Sequence, residues 1–549
     1  MKIALAQLNY HIGNFEVNVQ KTIDYVEKAK LQGADLVVFA ELSICGYPPR
    51  DFLEFDEFIL KCHSEALKIA GHCHGIAAIV GLPIKNEVLA GKDLYNAAYF
   101  LADGEIKSVT RKALLPTYDI FDEYRYFEPN VEFQILEYKG KKIALTICED
   151  LWNLEDNPMY VSCPMDSLIE DKPDIMINIA ASPFNYQHDE ERLKMLQRNV
   201  LKYNLPLIYV NQVGAHTELI FDGGSVAMSR TGNLVKEMAY FKEDFYFIDT
   251  DDMEDSLPDK GDILNNRESD IAQIHQALVL GIKDYFEKSG FQKAVLGLSG
   301  GIDSAVVCAL AVEALGAENV MAVLMPSIYS STHSVKDAMD LVNNLNCKYE
   351  ILPIKDITES FDKVLSKTFE GLAFNITEEN IQARTRGILL MAMSNKFGYI
   401  LLNTSNKSEC AVGYGTLYGD MCGALSVLGD VYKTQVFQLA RHINRESEII
   451  PLNSIIKPPS AELRPDQKDA DSLPDYEILD ALLFQHIELK KGPEALKSMG
   501  YDETLLNRIL KLVNRAEFKR YQTPPILRVS PKAFGMGRRM PIVGKYWYL

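Results

Sequence analysis

The ten residues from 295 to 304 constrain the fold of this chain more than any other stretch. Their sequence is Val-Leu-Gly-Leu-Ser-Gly-Gly-Ile-Asp-Ser, an apolar run followed by a pair of glycines. Apolar side chains then recur at helical spacing, at Ala305, Val306, Ala309 and Leu310. The pattern predicts a buried strand, a tight turn and a helix, which is the βα unit of an α/β protein with a parallel sheet.

The turn of this unit has the features of a phosphate-binding site. Gly300 and Gly301 allow the main chain to approach a ligand closely, and the N–H groups at a helix N-terminus attract anions. No Gly-Lys-Ser/Thr follows, so the loop is not a Walker A loop. Asp303 would repel a polyphosphate unless a divalent cation lay between them, so we expect Mg²⁺ at this site. A glycine-rich turn that binds no ligand remains the alternative on the motif alone.

The hexapeptide Ser-Gly-Gly-Ile-Asp-Ser at residues 299–304 resembles the signature of the ATP pyrophosphatase, or PP-loop, superfamily. The resemblance implies that ATP is cleaved between its α and β phosphates and that a substrate is adenylated. The ATP-binding residues that it implies in and before the loop are Gly297, Leu298, Ser299, Gly300, Gly301, Ile302, Asp303 and Ser304.

Length and charge limit the classes of protein that fit this sequence. A chain of 549 residues exceeds one hydrophobic core and should form about two or three domains. Its net charge of −19 argues against a nucleic-acid partner, which would require a basic surface. Nine cysteines without a CxxC pair favour a reducing compartment. No leader and no membrane-length apolar run precede or interrupt the chain, so we expect a cytoplasmic protein without a membrane partner.

The best candidate for a domain boundary is an acidic stretch near the middle of the chain. Residues 251–262 contain six acidic side chains together with Pro258 and Gly261, which is typical of a linker. Apolar residues at helical spacing follow from Ile271 onward. We therefore predict a first domain over residues 1–250, a linker over 251–270 and a second domain over 271–549.

Three polar residues in the first half follow predicted strands. They are Glu41, Lys112 and Cys148, and each comes at or just after the end of an apolar or alternating run. A thiol nucleophile needs a base, and the oxyanion formed by its attack needs a cation or hydrogen-bond donors. Together the three could hydrolyse an amide through a thioester. Taken singly, a buried cysteine and two solvated charges are the simpler interpretation.

The sequences around these residues resemble the carbon–nitrogen hydrolase, or nitrilase, superfamily over most of residues 1–250. The resemblance rests on Phe-Ala-Glu-Leu at 39–42, Arg-Lys at 111–112 and Ile-Cys-Glu-Asp at 147–150, in the order Glu, Lys, Cys. It implies a four-layer α-β-β-α sandwich. In glutaminase members of the superfamily, the matching positions imply that Tyr118, Ser182 and His188 bind glutamine and that Glu123 is an auxiliary acid. His188 stands where a longer basic residue is expected.

A nitrilase-type glutaminase placed before a PP-loop domain is the arrangement of the glutamine-dependent NAD⁺ synthetase family. The second half resembles that family at residues 379–392, which open a predicted helix, and at 399–409, a predicted buried strand with a polar turn. Further matching segments are 419–420, 429–434, 459–467, 518–520 and 534–539. By this resemblance, Arg384 and Thr404 contact ATP, whereas Asn380, Glu409 and Lys519 contact the dinucleotide.

The resemblance implies an α/β fold in which the N-terminal nitrilase sandwich is followed by a doubly wound, Rossmann-like parallel-sheet domain. Nucleotides bind at the carboxyl edge of such a sheet, where Glu409 could join Asp303 around Mg²⁺. The implied substrates are deamido-NAD⁺, ATP and L-glutamine, with ammonia from glutamine attacking an adenylated carboxylate. Members of the family associate through their synthetase domains, so we expect at least a homodimer.

Two other classes of function remain as alternatives. One is an amidase whose second half only binds a nucleotide in a regulatory role. The other is a scaffold protein with inactive sites, which is disfavoured because every expected catalytic residue type is present.

Overall fold

The computed structural model describes residues 1–88, 90–154, 158–254, 268–465, 467–544 and 546. The chain divides into two compact units, Met1–Glu268 and Ser269–Leu549. Residues 255–267, which make up most of the predicted linker, lie outside the described residues. None of the helices in the described ranges is both long and apolar enough to cross a membrane.

The first unit contains fourteen strands in its described part, arranged in two large sheets and a hairpin. The first sheet has the order β14-β1-β2-β3-β4-β5 and the second the order β13-β12-β9-β8-β7-β6, while β10 and β11 pair separately. Their bounds are β1 Lys2–Gln7, β2 Leu36–Val38, β3 Ala77–Lys85, β4 Leu94–Ala102, β5 Glu105–Arg111, β6 Leu136–Tyr138, β7 Lys141–Ile147, β8 Ile175–Ala180, β9 Leu207–Asn211, β10 Val213–His216, β11 Leu219–Asp222, β12 Val226–Met228, β13 Leu234–Glu237 and β14 Asp244–Asp249. The four α-helices are α1 Phe15–Leu31, α2 Asp56–Ala70, α3 Pro164–Leu168 and α4 His188–Tyr203.

The alternation of side chains along β1 separates the two faces of the first sheet. Ile3 and Leu5 join the cluster that also contains the apolar residues of the second sheet. Ala4 and Ala6 point the other way, into the cluster that α1 and α2 complete. Helix α4 packs on the second sheet through buried residues such as Leu196. These contacts give the four layers α-β-β-α and confirm the sandwich expected for this half.

The second unit is built on a five-stranded sheet in the order β17-β16-β15-β18-β19, with every neighbouring pair parallel. The chain moves outward from β15 to β17, then crosses back to β18, so the order reverses beside β15, as in doubly wound folds. The strand bounds are β15 Ala294–Gly297, β16 Val320–Leu324, β17 Lys348–Ile351, β18 Ile400–Asn403 and β19 Leu425–Ser426. This arrangement confirms the predicted parallel-sheet domain.

Twelve α-helices of the described residues complete the second unit. They are α5 Asp270–Ser289, α6 Ile302–Leu315, α7 Thr332–Leu345, α8 Lys355–Leu365, α9 Ile376–Phe397, α10 Lys407–Val412, α11 Lys433–Ile443, α12 Leu452–Ile456, α13 Tyr476–Ile487, α14 Pro493–Ser498, α15 Glu503–Arg515 and α16 Glu517–Arg520. Helix α9 begins three residues before the predicted start at Glu379, because Asn375 and Glu378 form a capping box that closes the first turn. Helices α10, α13, α14 and α15 share a separate apolar cluster.

Candidate active sites

The first candidate site lies where three strands of the sandwich end. Glu41 follows β2 and Lys112 follows β5, while Cys148 begins a short 3-10 turn directly after β7. The backbone of Cys148 is in the left-handed region, with φ of 45°, a conformation that non-glycine residues adopt at a cost. All three residues were predicted to follow strands, and they do. The three strands end at the same side of the sandwich, which is why the residues lie close together.

Lys112 is enclosed by two carboxylates. Its Nζ lies 2.8 Å from Glu41 Oε1 and 2.9 Å from a carboxylate oxygen of Glu123. Glu41 also accepts hydrogen bonds from Asn96 Nδ2 at 2.7 Å and from the backbone N–H of Ala181 at 3.0 Å. Glu41 and Lys112 have no exposed surface. Such a cluster is rigid, because every charged atom has a partner and no water competes for it.

The electrostatics of this cluster keep the thiol protonated at rest. Burial raises the pKa of the Cys148 thiol well above its usual value; Glu41 raises it further, and the opposing effect of Lys112 does not compensate. Burial raises the pKa of Glu123 to about 7, with Glu41 adding to the rise and Lys112 opposing it. Burial lowers the pKa of Lys112, but Glu123 and Glu41 raise it by more, so the ammonium stays charged. A base must therefore remove the thiol proton during any attack, and Glu41 is the carboxylate with the largest electrostatic effect on this thiol.

Asp150 holds this site together and has no counterpart in the sequence-based prediction. Its Oδ1 accepts the N–H groups of Ala113 at 3.0 Å and Leu114 at 2.9 Å, and its Oδ2 accepts the N–H of Ile147 at 3.0 Å. The carboxylate thus ties the segment after Lys112 to the strand before the nucleophile. The only sequence signal for this role is its position two residues after Cys148.

Polar and aromatic side chains contact the residues that follow the nucleophile in sequence. The Tyr118 hydroxyl donates to Glu149 at 3.0 Å, and Tyr160 donates to the same carboxylate at 3.0 Å. Ser182 Oγ and His188 Nε2 lie 2.9 Å apart, and the His188 ring stacks on Trp152 with centroids 5.2 Å apart.

Of the three predicted glutamine ligands, Ser182 and His188 are in contact, whereas Tyr118 contacts Glu149 instead. Their binding of glutamine stays a prediction. The contacts of Glu149, Tyr160 and Trp152 were not predicted from the sequence. Glu149 could have been suspected from its place beside Cys148, whereas Tyr160 had no signal in the sequence.

The second candidate site is a cavity of about 310 Å³ at the carboxyl edge of the parallel sheet. Of the residues predicted to bind ATP or the metal, those that line it are Gly297, Leu298, Ser299, Gly301, Ile302, Asp303, Ser304, Thr404 and Glu409. Gly300 lies behind the wall with φ of 82°, and a Cβ there would come within 2.1 Å of the Ser334 carbonyl oxygen. Glycine is therefore required at this position by both conformation and space.

Hydrogen bonds of its serine side chains stabilise the phosphate loop. Ser299 Oγ lies 3.1 Å from Ser304 Oγ, which also donates to the Gly301 carbonyl at 3.1 Å. Helix α6 begins directly after the glycines, at Ile302, so its first N–H groups face the cavity edge.

Two carboxylates and one lysine converge at this loop. Lys433 Nζ lies 2.5 Å from Asp303 Oδ2 and 3.5 Å from Glu409 Oε1, and Asn406 Nδ2 donates to Asp303 Oδ1 at 2.9 Å. Burial raises the pKa of Glu409 to about 8, with Asp303 adding to the rise and Lys433 opposing it. The pair of carboxylates is thus arranged around a position that suits a cation.

The chemistry of these donors fits Mg²⁺, a hard cation that prefers oxygen ligands and completes its shell with substrate phosphates. Within the described residues no group of three or more His, Cys, Asp or Glu side chains could hold a metal alone. Asp303 and Glu409 would therefore hold the ion together with the phosphates rather than without them.

The other predicted nucleotide ligands meet on the segment 413–417, not on the cavity wall. Arg384 is exposed and its Nε donates to the Leu417 carbonyl at 3.2 Å. Asn380 Oδ1 accepts the Thr416 hydroxyl at 2.8 Å. Lys519 Nζ donates to the carbonyls of Gly413 at 2.8 Å and Gly415 at 2.7 Å. Two residues one turn apart in α9 and a third from α16 therefore converge on one loop.

Several residues of the cavity were not predicted from the sequence. Arg386 lines it, and burial lowers the pKa of its guanidinium to about 10. Lys433, Lys457, Ser460 and Asp469 also line it. Arg386 and Lys433 lie in two of the segments that resemble the family, 379–392 and 429–434. Because an acidic chain that binds anions needs cationic side chains in its site, these two residues could have been predicted from the sequence.

Comparison with known proteins matches each unit to a family model. The carbon–nitrogen hydrolase family model matches residues 2–255, and the NAD synthase family model matches residues 274–523. A glutamine-dependent NAD(+) synthetase of Synechocystis sp. is 44% identical over 547 residues, covering 98% of each chain. One of Thermotoga maritima is 38% identical over 580 residues, covering 100% of this chain and 99% of its own.

Solved structures give the same result. The glutamine-dependent NAD⁺ synthetase from Acinetobacter baumannii, in complex with adenosine diphosphate, is 38% identical, covers 99% of both chains and superposes with a TM-score of 0.77. The structure of the enzyme from Cytophaga hutchinsonii, 20% identical with a TM-score of 0.83 over 99% of this chain and 98% of its own, shares the fold. With this identity over the full length and with both catalytic units present, the chain belongs to the glutamine-dependent NAD⁺ synthetase family.

Proposed function

We propose that the Cys148 site and the phosphate-loop cavity carry out the two halves of glutamine-dependent NAD⁺ synthesis. The overall reaction converts deamido-NAD⁺, ATP and glutamine into NAD⁺, AMP, pyrophosphate and glutamate. The observation that carries the assignment is the buried Glu41–Lys112 pair beside a cysteine, in one chain with a phosphate loop. We place the glutaminase in residues 1–250, a linker in 251–270 and the synthetase in 271–549.

In the first half-reaction, Cys148 Sγ attacks the carbonyl carbon of the glutamine side-chain amide. Glu41 takes the thiol proton and passes it to the amide nitrogen, so that the C–N bond breaks and ammonia leaves. Lys112 stabilises the oxyanion of the tetrahedral intermediate. Water, activated by Glu41, then hydrolyses the thioester and releases glutamate.

Glutamine recognition is assigned to the polar residues beside the nucleophile. Tyr118, Ser182 and His188 are proposed to bind the amino-acid end of the substrate. The 2.9 Å contact between Ser182 and His188 supports a joint role, and stacking on Trp152 fixes the orientation of the imidazole.

In the second half-reaction, a carboxylate oxygen of deamido-NAD⁺ attacks the α-phosphorus of ATP, and the bond to the bridging oxygen of pyrophosphate breaks. Ammonia then attacks the adenylated carbonyl carbon and loses a proton, and AMP departs. The loop N–H groups and the hydroxyls of Ser299 and Ser304 are proposed to bind phosphate oxygens. Thr404 and Arg384 are proposed as further ATP ligands.

Lys433, Asp303 and Glu409 are proposed to balance the negative charge of the ATP phosphates at this site. Lys433 Nζ is already enclosed by the two carboxylates and is proposed to orient them at the phosphates. Mg²⁺ bound by Asp303 and Glu409 would neutralise charge on the transferring phosphates.

The dinucleotide is proposed to bind at the loop 413–417, where Asn380 and Lys519 meet, with Glu409 at its reacting end. The contacts of Asn380 and Lys519 with this loop support the assignment, because they fix both side chains at one place.

We also propose that the protein forms at least a homodimer through its synthetase unit. Helix α8 has no buried residue in the single chain, although Phe361 and Val364 on it are apolar. Ile376 and Ile388 of α9 are likewise 63% and 60% exposed. Adjacent apolar helices of this kind favour burial against a second copy, and sedimentation at micromolar concentration would test it.

One assay tests the proposal against its main alternative. Deamido-NAD⁺, ATP and Mg²⁺ are supplied with either glutamine or ammonium, and the nucleotide products are separated by chromatography. We expect NAD⁺ with AMP and pyrophosphate from both nitrogen sources, whereas ADP would contradict the phosphate-loop assignment. An amidase with a regulatory nucleotide module would instead hydrolyse glutamine without forming NAD⁺.

A further inference from the structure

Helix α13 carries one buried carboxylate among apolar neighbours. Leu479, Leu482 and Leu483 place the helix in the apolar cluster shared with α10 and α15. Asp480, in the middle of this run, is only 5% exposed. A buried carboxylate is costly unless its oxygens accept hydrogen bonds, so its partners indicate why it is there.

The partners of Asp480 belong to the two helices that border the phosphate loop. Its Oδ1 accepts the hydroxyl of Ser408 in α10 at 2.5 Å, and its Oδ2 accepts the N–H of Thr434 in α11 at 2.8 Å. Ser408 Oγ in turn accepts the N–H of Lys433 at 2.9 Å. The first N–H groups of a helix have no partner within that helix, and here the first two of α11 are bound by residues of other elements.

This arrangement fixes the residues of the adenylation site through their backbones. Lys433 is the first residue of α11, and its Nζ reaches Asp303 at 2.5 Å. Glu409 directly follows Ser408 in α10. Asp480 therefore holds the backbone at the start of α11, directly at Thr434 and through Ser408 at Lys433.

We infer that Asp480 is a positioning residue for adenylation, which acts by holding the N-terminus of α11 and thereby Lys433 at the phosphate loop. The inference rests on the proposed function of this cavity. Asp480 itself touches none of the substrates in this proposal, and a merely stabilising role is the outcome to be distinguished.

A double-mutant cycle separates the two roles. Asp480→Asn keeps the size of the side chain, but its amide N–H then faces either the Ser408 hydroxyl or the Thr434 N–H, both of which are donors. Misplacement of a catalytic group by about 1 Å lowers rates by up to about a hundredfold, so we expect kcat of ammonium-dependent NAD⁺ formation to fall on the order of tenfold. In a Lys433→Met background the same substitution should change kcat less than about twofold, since the side chain being positioned is absent. Equal losses in both backgrounds, or no loss in either, would overturn the inference.

Two further variants and one structure keep the test decisive. Ser408→Ala removes the link to the Lys433 N–H without removing Asp480, and it should reproduce the direction of the loss if Asp480→Asn does not fold. Asp475 is the exposed N-cap of the same helix, and its side chain accepts the Glu477 N–H at 2.9 Å. Asp475→Asn should leave kcat unchanged.

If Lys433→Met has no measurable rate, a crystal structure of Asp480→Asn decides. Lys433 Nζ is expected beyond ~4 Å from the Asp303 carboxylate, outside ion-pair distance. An unchanged Lys433 position would overturn the inference. A wild-type protein that forms no NAD⁺ from ammonium would instead refute the proposed function itself.

Discussion

Both candidate active sites place a lysine between two carboxylates, but one cluster is sealed and the other is open. Lys112 lies between Glu41 and Glu123, and the exposed fraction of the three side chains is 6% at most. Lys433 lies between Asp303 and Glu409, whose side chains are 19% and 16% exposed. The same three charges are therefore suited to different chemistry, depending on whether they are sealed from solvent or open to a cavity.

The sealed cluster is suited to proton transfer and oxyanion stabilisation, because its geometry is fixed before the substrate arrives. The open cluster borders a 310 Å³ cavity and can exchange ligands with phosphates and a metal ion. The two clusters should therefore respond differently to the same kind of substitution.

The largest effect is expected at the open cluster. Asp303→Ala and Glu409→Ala should each lower NAD⁺ formation on the order of a thousandfold, from glutamine and from ammonium alike. Both carboxylates are assigned to an ion whose stabilisation of the transferring phosphates amounts to several kcal/mol. Initial rates with each nitrogen source measure this. Near-normal ammonium-dependent synthesis in either variant would show that the metal assignment is wrong.

The sealed cluster should show a selective loss. Lys112→Met is expected to lower glutamine hydrolysis by roughly a hundredfold or more, because the oxyanion loses its cation. Ammonium-dependent NAD⁺ synthesis should stay within about twofold of wild type. This second activity also serves as the control that the variant is folded. A parallel loss of both activities would argue that Lys112 acts through the stability of the chain.

A smaller effect concerns the pH dependence of stability. The folded chain holds the pKa of Glu123 at about 7 against an ordinary value of 4.5, so protonation of Glu123 favours folding. This contribution is fully present below the ordinary pKa and is lost as the pH rises through about 7. In Glu123→Gln, the decline in the free energy of unfolding between about pH 5 and pH 8 should be smaller by about 2 to 3 kcal/mol. Denaturant unfolding of the full chain, followed through the transition of the first unit, measures the difference, and equal declines would contradict the assigned pKa.

The smallest effect is expected at the rim of the glutaminase site. His188→Ala should raise KM for glutamine by about tenfold, the equivalent of one hydrogen bond to a charged group. Ammonium-dependent kcat should not change. His188→Arg restores a basic side chain and should recover part of the loss; an unaltered KM in His188→Ala would remove this residue from the substrate site.

Local patterns carried most of what the sequence predicted. The phosphate loop could be located because a strand, two glycines and a helix are contiguous, and the nucleophile because Cys148 ends an apolar run. The α/β class followed from this unit, and the architecture of the two domains was implied by the family resemblance. The supports of each site could not be found in this way. The Ser408–Asp480 contact joins residues 72 positions apart, and the Lys433–Asp303 contact joins residues 130 apart.

Arg384 and Arg386 illustrate the limit within one helix. Successive residues of an α-helix are rotated by about 100° around its axis, so side chains two residues apart lie on nearly opposite faces. Arg386 lines the cavity, whereas Arg384 is exposed and contacts the loop 413–417. Recognition of the segment did not reveal which arginine faces the cavity, and the ATP contact assigned to Arg384 stays a prediction.

The central claim is that the two lysine–carboxylate clusters serve separable half-reactions, and Cys148→Ala tests it most directly. The substitution removes the only nucleophile assigned to the first site and touches no residue of the second. NAD⁺ formation is measured with ATP, Mg²⁺ and deamido-NAD⁺, first with glutamine and then with ammonium. The account predicts that synthesis from glutamine disappears while synthesis from ammonium stays close to wild type. Retained synthesis from glutamine, or loss of synthesis from ammonium in a folded protein, would contradict it.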